Sequence, residues 1–493
     1  MSQASPTLSR QLGLLGLTAT GICSMIGASI YVVPFMIQRN VPGIGPYVLP
    51  AFLFAAIPAV FAAFAYTVLS SAMPRAGGSY LYASRALHPF WGFVASFSQW
   101  FGLSIVIGVI AYVVVPFFRD VALALGWAEI GDWLEIGTIR VTLSLLLLWT
   151  FVGINLKGIK SYEKTLIPLM ILMFVLGGLV IISGFFFNQN DFIEVLKTKE
   201  NREVISLPAV FDWGTFLSAS ALLFSSFIGF DAIAQAGGEA KNPSKNLPRA
   251  IGLAIFGVGI FYFSFTSAVY HAIPWEFVAS EALEKDLSAA GLLAYLLPSS
   301  LGVVILLGAA IALLNDLPAM ILSVSRLVFS WAEDGIFPRS LAKISSKNQT
   351  PARAIVVSGS VSTIGVLGSH FAGDFFLGID IMVTSMLVNF LLMCLALVFF
   401  KKRNPSLHAR VSVFKSDSLQ LLIGIGGILF LTSFLIIHVS KDLKADVSEW
   451  YFHSTWVWLL VMGTASLYFF YRWKKLKQEN PELEKSFKEL PEN

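Results

Sequence analysis

Twelve long apolar runs, separated by short polar segments, set the pattern of the chain. A helix needs roughly 20 mainly apolar residues to cross the hydrocarbon core of a bilayer. The runs lie near 13–38, 45–73, 91–118, 139–156, 165–187, 213–237, 250–273, 291–329, 354–372, 376–400, 418–439 and 454–472. This pattern predicts an all-α integral membrane protein with twelve transmembrane helices. The eighth run is long enough to extend past the bilayer, and no stretch between the runs looks like a soluble domain. The first run is longer than the apolar region of a cleavable signal peptide and leads into further spans.

Composition agrees with lipid as the solvent. Hydrophobic residues make up 56% of the 493 and charged residues only 13%, against about 25% charged in soluble domains. Cytoplasmic loops of membrane proteins are enriched in Lys and Arg. With the N-terminus inside, only nine of the 34 basic residues fall outside: Arg39, Arg119, Arg140, Lys197, Lys199, Arg202, Lys285, Lys441 and Lys444. The outer loops instead carry Glu276, Glu281, Glu284 and Asp286. Both termini are therefore expected in the cytoplasm, in a multi-pass protein of the cell membrane. This bias also accounts for the net charge of +4 without a nucleic-acid partner.

Two runs contain material that interrupts a helix. Residues 21–34 read GICSMIGASIYVVP, and residues 223–238 read LFSSFIGFDAIAQAGG with a carboxylate, Asp231, far from either end. The interruptions fall in spans 1 and 6, an odd offset, so the two segments cross in opposite directions. That arrangement predicts an inverted repeat of spans 1–5 against spans 6–10, with a binding site near the midplane. Unwound turns free backbone N–H and C=O groups that are costly in lipid unless satisfied. A zwitterion satisfies both kinds, with its carboxylate at a half-helix N-terminus and its ammonium against carbonyls. The plainer alternative is that the small residues only let helices pack closely. Asp231 in turn either serves the ligand or bonds the loose backbone of its own broken helix; intramembrane carboxylates by default suggest function.

Four stretches carry a resemblance. MIGASIY (25–31) resembles a broken first helix, and MPRAGGSYLYASRALHPFWGF (73–93) a hallmark first cytoplasmic loop. FSSFIGFDAIAQAGGEAKNPSKNLPRAI (224–251) resembles a sixth helix with its following loop, and SRLVFSWAEDGIFP (325–338) the end of an eighth. Together they resemble the amino-acid permeases of the amino acid–polyamine–organocation superfamily, whose leucine-transporter fold has ten core spans plus two. The resemblance implies that an amino acid's carboxylate meets the N–H groups of Ala28 and Ser29, beside Ile26 and Gly27. Its ammonium then meets carbonyls of Met25, Ser225 and Ile228, next to Gly229. Span 3 and Phe230 shape the side-chain pocket, the Ser29 hydroxyl adds a donor, and a gate is formed by Phe227, Phe230 or Tyr31. The chain departs from the family pattern at Gly238, where an acidic residue is common, and near Leu172, where proton-coupled members have a lysine.

Span 8 holds a second unusual carboxylate in ALLNDLPAM (312–320). By resemblance to sodium-coupled members, carbonyls of Cys23 and Ile26 with Asn315 and Asp316 form the ion-coupling site. The coupling ion is sodium or a proton. Alternatively, Asp316 serves only backbone freed by Pro318.

The chemistry of other classes is missing. The six histidines show no H-E-x-x-H spacing, and neither a phosphate-binding G-x-x-x-x-G-K-[ST] loop nor a G-x-S-x-G elbow occurs. Cys23 and Cys394, both in apolar runs, give no disulfide framework or metal site. No enzyme and no cofactor is expected. The expected organisation is a cytoplasmic N-terminus (1–12), a first repeat (13–187), an extracellular loop (188–212), a second repeat (213–400), two further spans (418–472) and a solvated cytoplasmic tail (473–493). The expected function is cation-coupled symport of a neutral or cationic amino acid by alternating access. Amino-acid/polyamine exchange and a non-transporting amino-acid sensor are the alternatives, and the oligomeric state is open.

Overall fold

A computed structural model describes residues 7–372 and 375–491, with the side chains at 28, 29, 299, 372, 375 and 376 outside the described set. Its regular structure is helical apart from one bridge between Leu12 and Ala240. The helices are α1 (Leu14–Met25), α2 (Ala28–Tyr31), α3 (Val33–Asn40), α4 (Val48–Ala72), α5 (Gly78–Ala86), α6 (Pro89–Ala124), α7 (Ala128–Glu135), α8 (Gly137–Leu156), α9 (Ile159–Phe186), α10 (Gln189–Glu200) and α11 (Trp213–Leu223). There follow α12 (Ala232–Gln235), α13 (Pro243–Ala272), α14 (Trp275–Glu284), α15 (Ala289–Leu293), α16 (Ser299–Glu333), α17 (Ala352–Ala372), α18 (Phe375–Arg403), α19 (Pro405–His408), α20 (Asp417–Lys444), α21 (Ser454–Glu479) and α22 (Leu483–Ser486). Among the described residues, ten helical segments are long and apolar enough to cross a membrane.

The distribution of small and large apolar residues explains the packing. On α4, Ala51, Ala55, Ala59 and Ala62 recur at helical spacing and are fully buried, whereas Leu53 is 53% exposed. Small side chains let neighbouring backbones approach, which is how helices associate where lipid is as apolar as leucine. The large residues are left to face the hydrocarbon, as Ile260 on α13 does at 69% exposure.

Three sequence expectations are corrected. The eighth run divides at Pro298: α15 stops, and α16 starts at Ser299 with Pro298 in extended geometry (φ −62°, ψ 147°). Proline lacks the N–H a continuous helix requires and biases the residue before it away from helix. The segment 188–212 is not all loop, because Asn188 and Asp191 form a reciprocal capping box that starts α10. The tail is solvated along most of its length but docks through a few apolar residues. Leu476, Leu483 and Phe487 are buried against Tyr80 and Trp331 in one apolar cluster. The twelfth run forms α21 but is not among the ten apolar segments, since its Trp, Tyr, Ser and Thr residues dilute it.

Two contacts fix where the chain's ends lie. Arg10 and Leu490 line one cavity, so the N-terminal segment and the tail meet on the same face of the bundle. At the far end of α3, the Asn40 carbonyl accepts a bond from Lys441 Nζ near the C-terminus of α20 (3.1 Å).

Candidate functional site

The first helical run does not cross as one rod. α1 ends at Met25, Ile26 is extended (φ −91°, ψ 96°), and helix resumes at Ala28, with a second kink at Val32 (φ −125°, ψ −54°) ahead of α3. The sixth run is also interrupted. α11 tightens into a 3-10 turn over Phe224–Phe227, Ile228 is extended (φ −81°, ψ 132°), and α12 starts at Ala232. Gly229 adopts φ +134°, a conformation that L side chains rarely take. It lies directly against the Ser24 carbonyl and the Met25 amide, leaving no space for a Cβ. The two interruptions therefore touch, main chain against main chain.

Where they meet is a cavity of about 50 Å³, lined from α1 by Ser24 and Met25, from the sixth run by Ser225 and Ile228, and from α16 by Asp316 and Met320. Val33, Val106, Val109, Ile110, Ile379 and Met382 close it with apolar surface. Three of the lining oxygens, Ser24 Oγ, Ser225 Oγ and Asp316 Oδ1, are buried without a hydrogen-bond partner among the described residues. Buried polar groups are almost always paired, and a buried carboxylate lacking a donor is costly unless a cation joins it. The cavity is thus an apolar chamber with three unpartnered oxygens in its lining, one each from α1, the sixth run and α16.

Of the residues expected for an ion site, Asp316 lines the cavity, whereas Cys23, Ile26 and Asn315 do not. Asn315 Nδ2 donates to Cys23 Sγ at 2.9 Å, while Asn315 Oδ1 is buried and unpartnered among the described residues. Gly27 packs against the Asp316 carboxylate so closely that any side chain there would collide with it. Pro318 O accepts from Asn155 Nδ2 at 3.2 Å. No bond from Asp316 to the backbone near Pro318 is present among the described residues.

Of the other expected residues, Met25, Ser225 and Ile228 line the cavity, whereas Tyr31, Phe227, Phe230 and Asp231 do not. The Met25 carbonyl accepts a bond from the Tyr262 hydroxyl. Tyr31 packs edge-on to Phe265 at 5.0 Å, and Phe227 lies 5.2 Å from Phe52. Phe230 turns away, stacked on Phe390 at 5.0 Å and edge-on to Tyr66 at 5.7 Å. The Ser29 hydroxyl lies outside the described side chains, as does the Ala28 methyl. Asp231 faces its own helix break: Oδ1 accepts the Gly229 N–H at 3.2 Å, and Oδ2 accepts from Gln99 Nε2. Gln99 Oε1 in turn accepts from Ser79 Oγ and from Gln235 Nε2 (3.1 Å).

The two faces of the bundle differ. Toward Arg39, a cavity of about 400 Å³ shares Val109 with the inner one and is lined by the Arg39–Asp286 pair (2.8 Å), Tyr112, Arg140 and His370. Toward the chain ends, Glu239 and Arg326 form a buried ion pair with Nε to Oε1 at 3.0 Å. Beyond it, Arg85 grips Asp334 through two bonds of 2.5 and 3.0 Å.

A family model described as amino acid permease matches residues 12–464. The chain belongs to the amino acid permease family. Among relatives of this permease, the branched-chain amino acid permease BcaP of Bacillus subtilis is 26% identical over 410 residues, 81% of this chain and 83% of that protein. The uncharacterized transporter Rv1999c of Mycobacterium tuberculosis is 29% identical over 357 residues, 72% of this chain and 73% of the other. The cationic amino acid transporter 4 of Mus musculus is 25% identical over 375 residues, 73% of this chain and 55% of the mouse protein. These relatives are permeases and transporters rather than enzymes. Sequence reasoning missed Gln99 and Gln235; a polar amide within an apolar run was the signal that could have found Gln99. It also missed Ser24, which stood inside the quoted motif.

Proposed function

We propose that this permease carries a neutral, aliphatic amino acid across the membrane by alternating access, coupled to a cation. The observation that carries this reading is the chamber where the two helix interruptions touch, with apolar walls and three unpartnered oxygens. Its lining contains no Lys or Arg among the described residues, so nothing there would hold an acidic side chain. Met25, Met320 and Met382 give walls that can re-pack around a side chain. At about 50 Å³ the chamber has room for on the order of three waters, so an amino acid enters only as the walls move. The Bacillus relative, a branched-chain amino acid permease, agrees with aliphatic cargo.

The substrate carboxylate is held at the N–H groups of Ala28 and Ser29, where helix resumes after the break. The ammonium lies against the interruption at Ser225 and Ile228, next to Gly229. Asp316, with Asn315, Cys23 and Ile26 nearby, receives the coupling cation, sodium or a proton. The Asp231 contacts support the structural alternative, a clamp that fixes the break of the sixth run to α6.

Several features support twelve crossings arranged as a five-plus-five inverted repeat with two added spans. The chain ends share a face, which requires an even number of crossings, and the contact of Asn40 with Lys441 supports α1–α3 together as one of them. The open cavity at Arg39 and the ion pairs on the opposite side support a state sealed toward the chain ends. With the charge bias, that sealed side is the cytoplasm and the membrane is the cell membrane.

Uptake of radiolabelled amino acids into proteoliposomes tests the reading. Leucine, isoleucine or valine should accumulate under an inward sodium or proton gradient. Accumulation should fail in Asp316→Asn, while exchange against internal amino acid persists. Uptake that needs internal amino acid or polyamine, and ignores both gradients, would favour the exchanger instead.

A further inference from the structure

The face that carries both chain ends holds a cavity of about 400 Å³ that the transport reading does not use. Its charged lining is Arg10, Arg75 and Arg410. These come from three separate segments: the stretch before α1, the turn between α4 and α5, and the connection from α19 to α20. Pro243 and Ser244, the first two residues of the 30-residue α13, complete the wall. The helix dipole is positive at that end; Pro243 has no N–H and the Lys245 and Asn246 N–H groups donate to the Asn242 carbonyl, so the first-turn donor facing the cavity is the Ser244 N–H. Burial and the charges of Arg10 and Arg410 press the pKa of Arg75 below its ordinary value, with Glu333 acting the other way.

We propose that this cavity binds a phosphate group. Guanidinium forks match phosphate oxygens with paired bonds, and a helix N-terminus adds a further donor and positive potential. The position suits a phosphate carried by a phospholipid. Further along α13, Leu253 and Phe256 are more than half exposed, so the same helix offers apolar surface to acyl chains. Basic pockets between membrane helices are where anionic headgroups bind. A free phosphate anion presents the same chemistry. Either one ties together three segments, and Leu490 of the tail closes over the site.

Native mass spectrometry of the full chain in detergent tests this, with dioleoyl phosphatidylglycerol, dioleoyl phosphatidylcholine and inorganic pyrophosphate titrated separately. Each of Arg75→Gln and Arg410→Gln should weaken retention of the anionic lipid about fivefold, as expected for one basic residue near a headgroup. Arg410→Lys should recover most of it, and retention of the choline lipid should not change. Arg10 and Arg410 are exposed, so Arg10→Gln with Arg410→Gln keeps the proposal testable should Arg75→Gln fail to fold. Arginine-dependent retention of pyrophosphate without retention of the anionic lipid would identify a free anion as the source. Retention of both probes unchanged in the Arg10→Gln, Arg410→Gln variant would overturn the site. The readout is binding, so its failure leaves the transport reading untouched.

Discussion

Gly229 shows how little freedom the junction leaves. Its φ of +134° and its contact with the Ser24 carbonyl both forbid a side chain. Gly229→Ala should therefore push the two interruptions apart, with backbone strain of about 1–3 kcal/mol. The expected outcome is a folded protein that amino acids no longer stabilise, read by thermal denaturation with and without leucine. Asp231 should behave differently, although it was the most conspicuous residue in the sequence. Its oxygens serve the Gly229 N–H and Gln99, so Asp231→Ala removes acceptors from buried donors. That should cost about 1–3 kcal/mol in stability and leave the apparent affinity for substrate within a few-fold of wild type. An Asp231→Ala protein of normal stability that no longer binds amino acid would return Asp231 to the ligand.

At the level of helices, the sequence told most about where regularity fails. The glycines, serines and extended residues of 21–34 and 223–238 are poor helix material, so the interruptions could be located without coordinates. The direction in which side chains leave an interruption could not be read, because helical periodicity is lost there. Phe230 and Tyr31, which the resemblance places near the ligand, pack against Phe390 and Phe265. The tail misled for another reason. WKKLKQENPELEKSFKEL alternates charge with isolated apolar residues, and such spacing reads as a solvated face until a docking surface is known. In the structure the Phe487 ring lies 4.7 Å from the Arg85 guanidinium, and Lys488 O accepts from Asn404 Nδ2 at 3.0 Å. Phe487→Ala should destabilise the protein by on the order of 3 kcal/mol, as large-to-small changes at buried aromatics do. Chemical denaturation in detergent would show it, and a change below the error of that measurement would return the tail to solvent.

Over the whole molecule, the features form one account. Within a bundle of apolar helices, polar chemistry gathers at the junction of the interrupted runs, at the cavity beside Arg39 and at the face where the segment before α1 meets the tail. The junction offers oxygen acceptors in an apolar chamber, and the ion pairs Glu239–Arg326 and Arg85–Asp334 lie between it and the ends. In the proposed transport cycle those pairs part while the cavity at Arg39 closes. The central claim is that the chamber binds an amino acid. Its most direct test is the thermal stability of the purified protein against each of the twenty amino acids and several polyamines, with and without sodium and across pH. Binding to the folded state should add about 2.7 kcal/mol at a hundredfold excess over Kd. The account predicts that leucine, isoleucine or valine raises the melting temperature and that sodium or low pH strengthens the effect. Stabilisation by polyamines alone, or by no amino acid at saturating concentration, would contradict it.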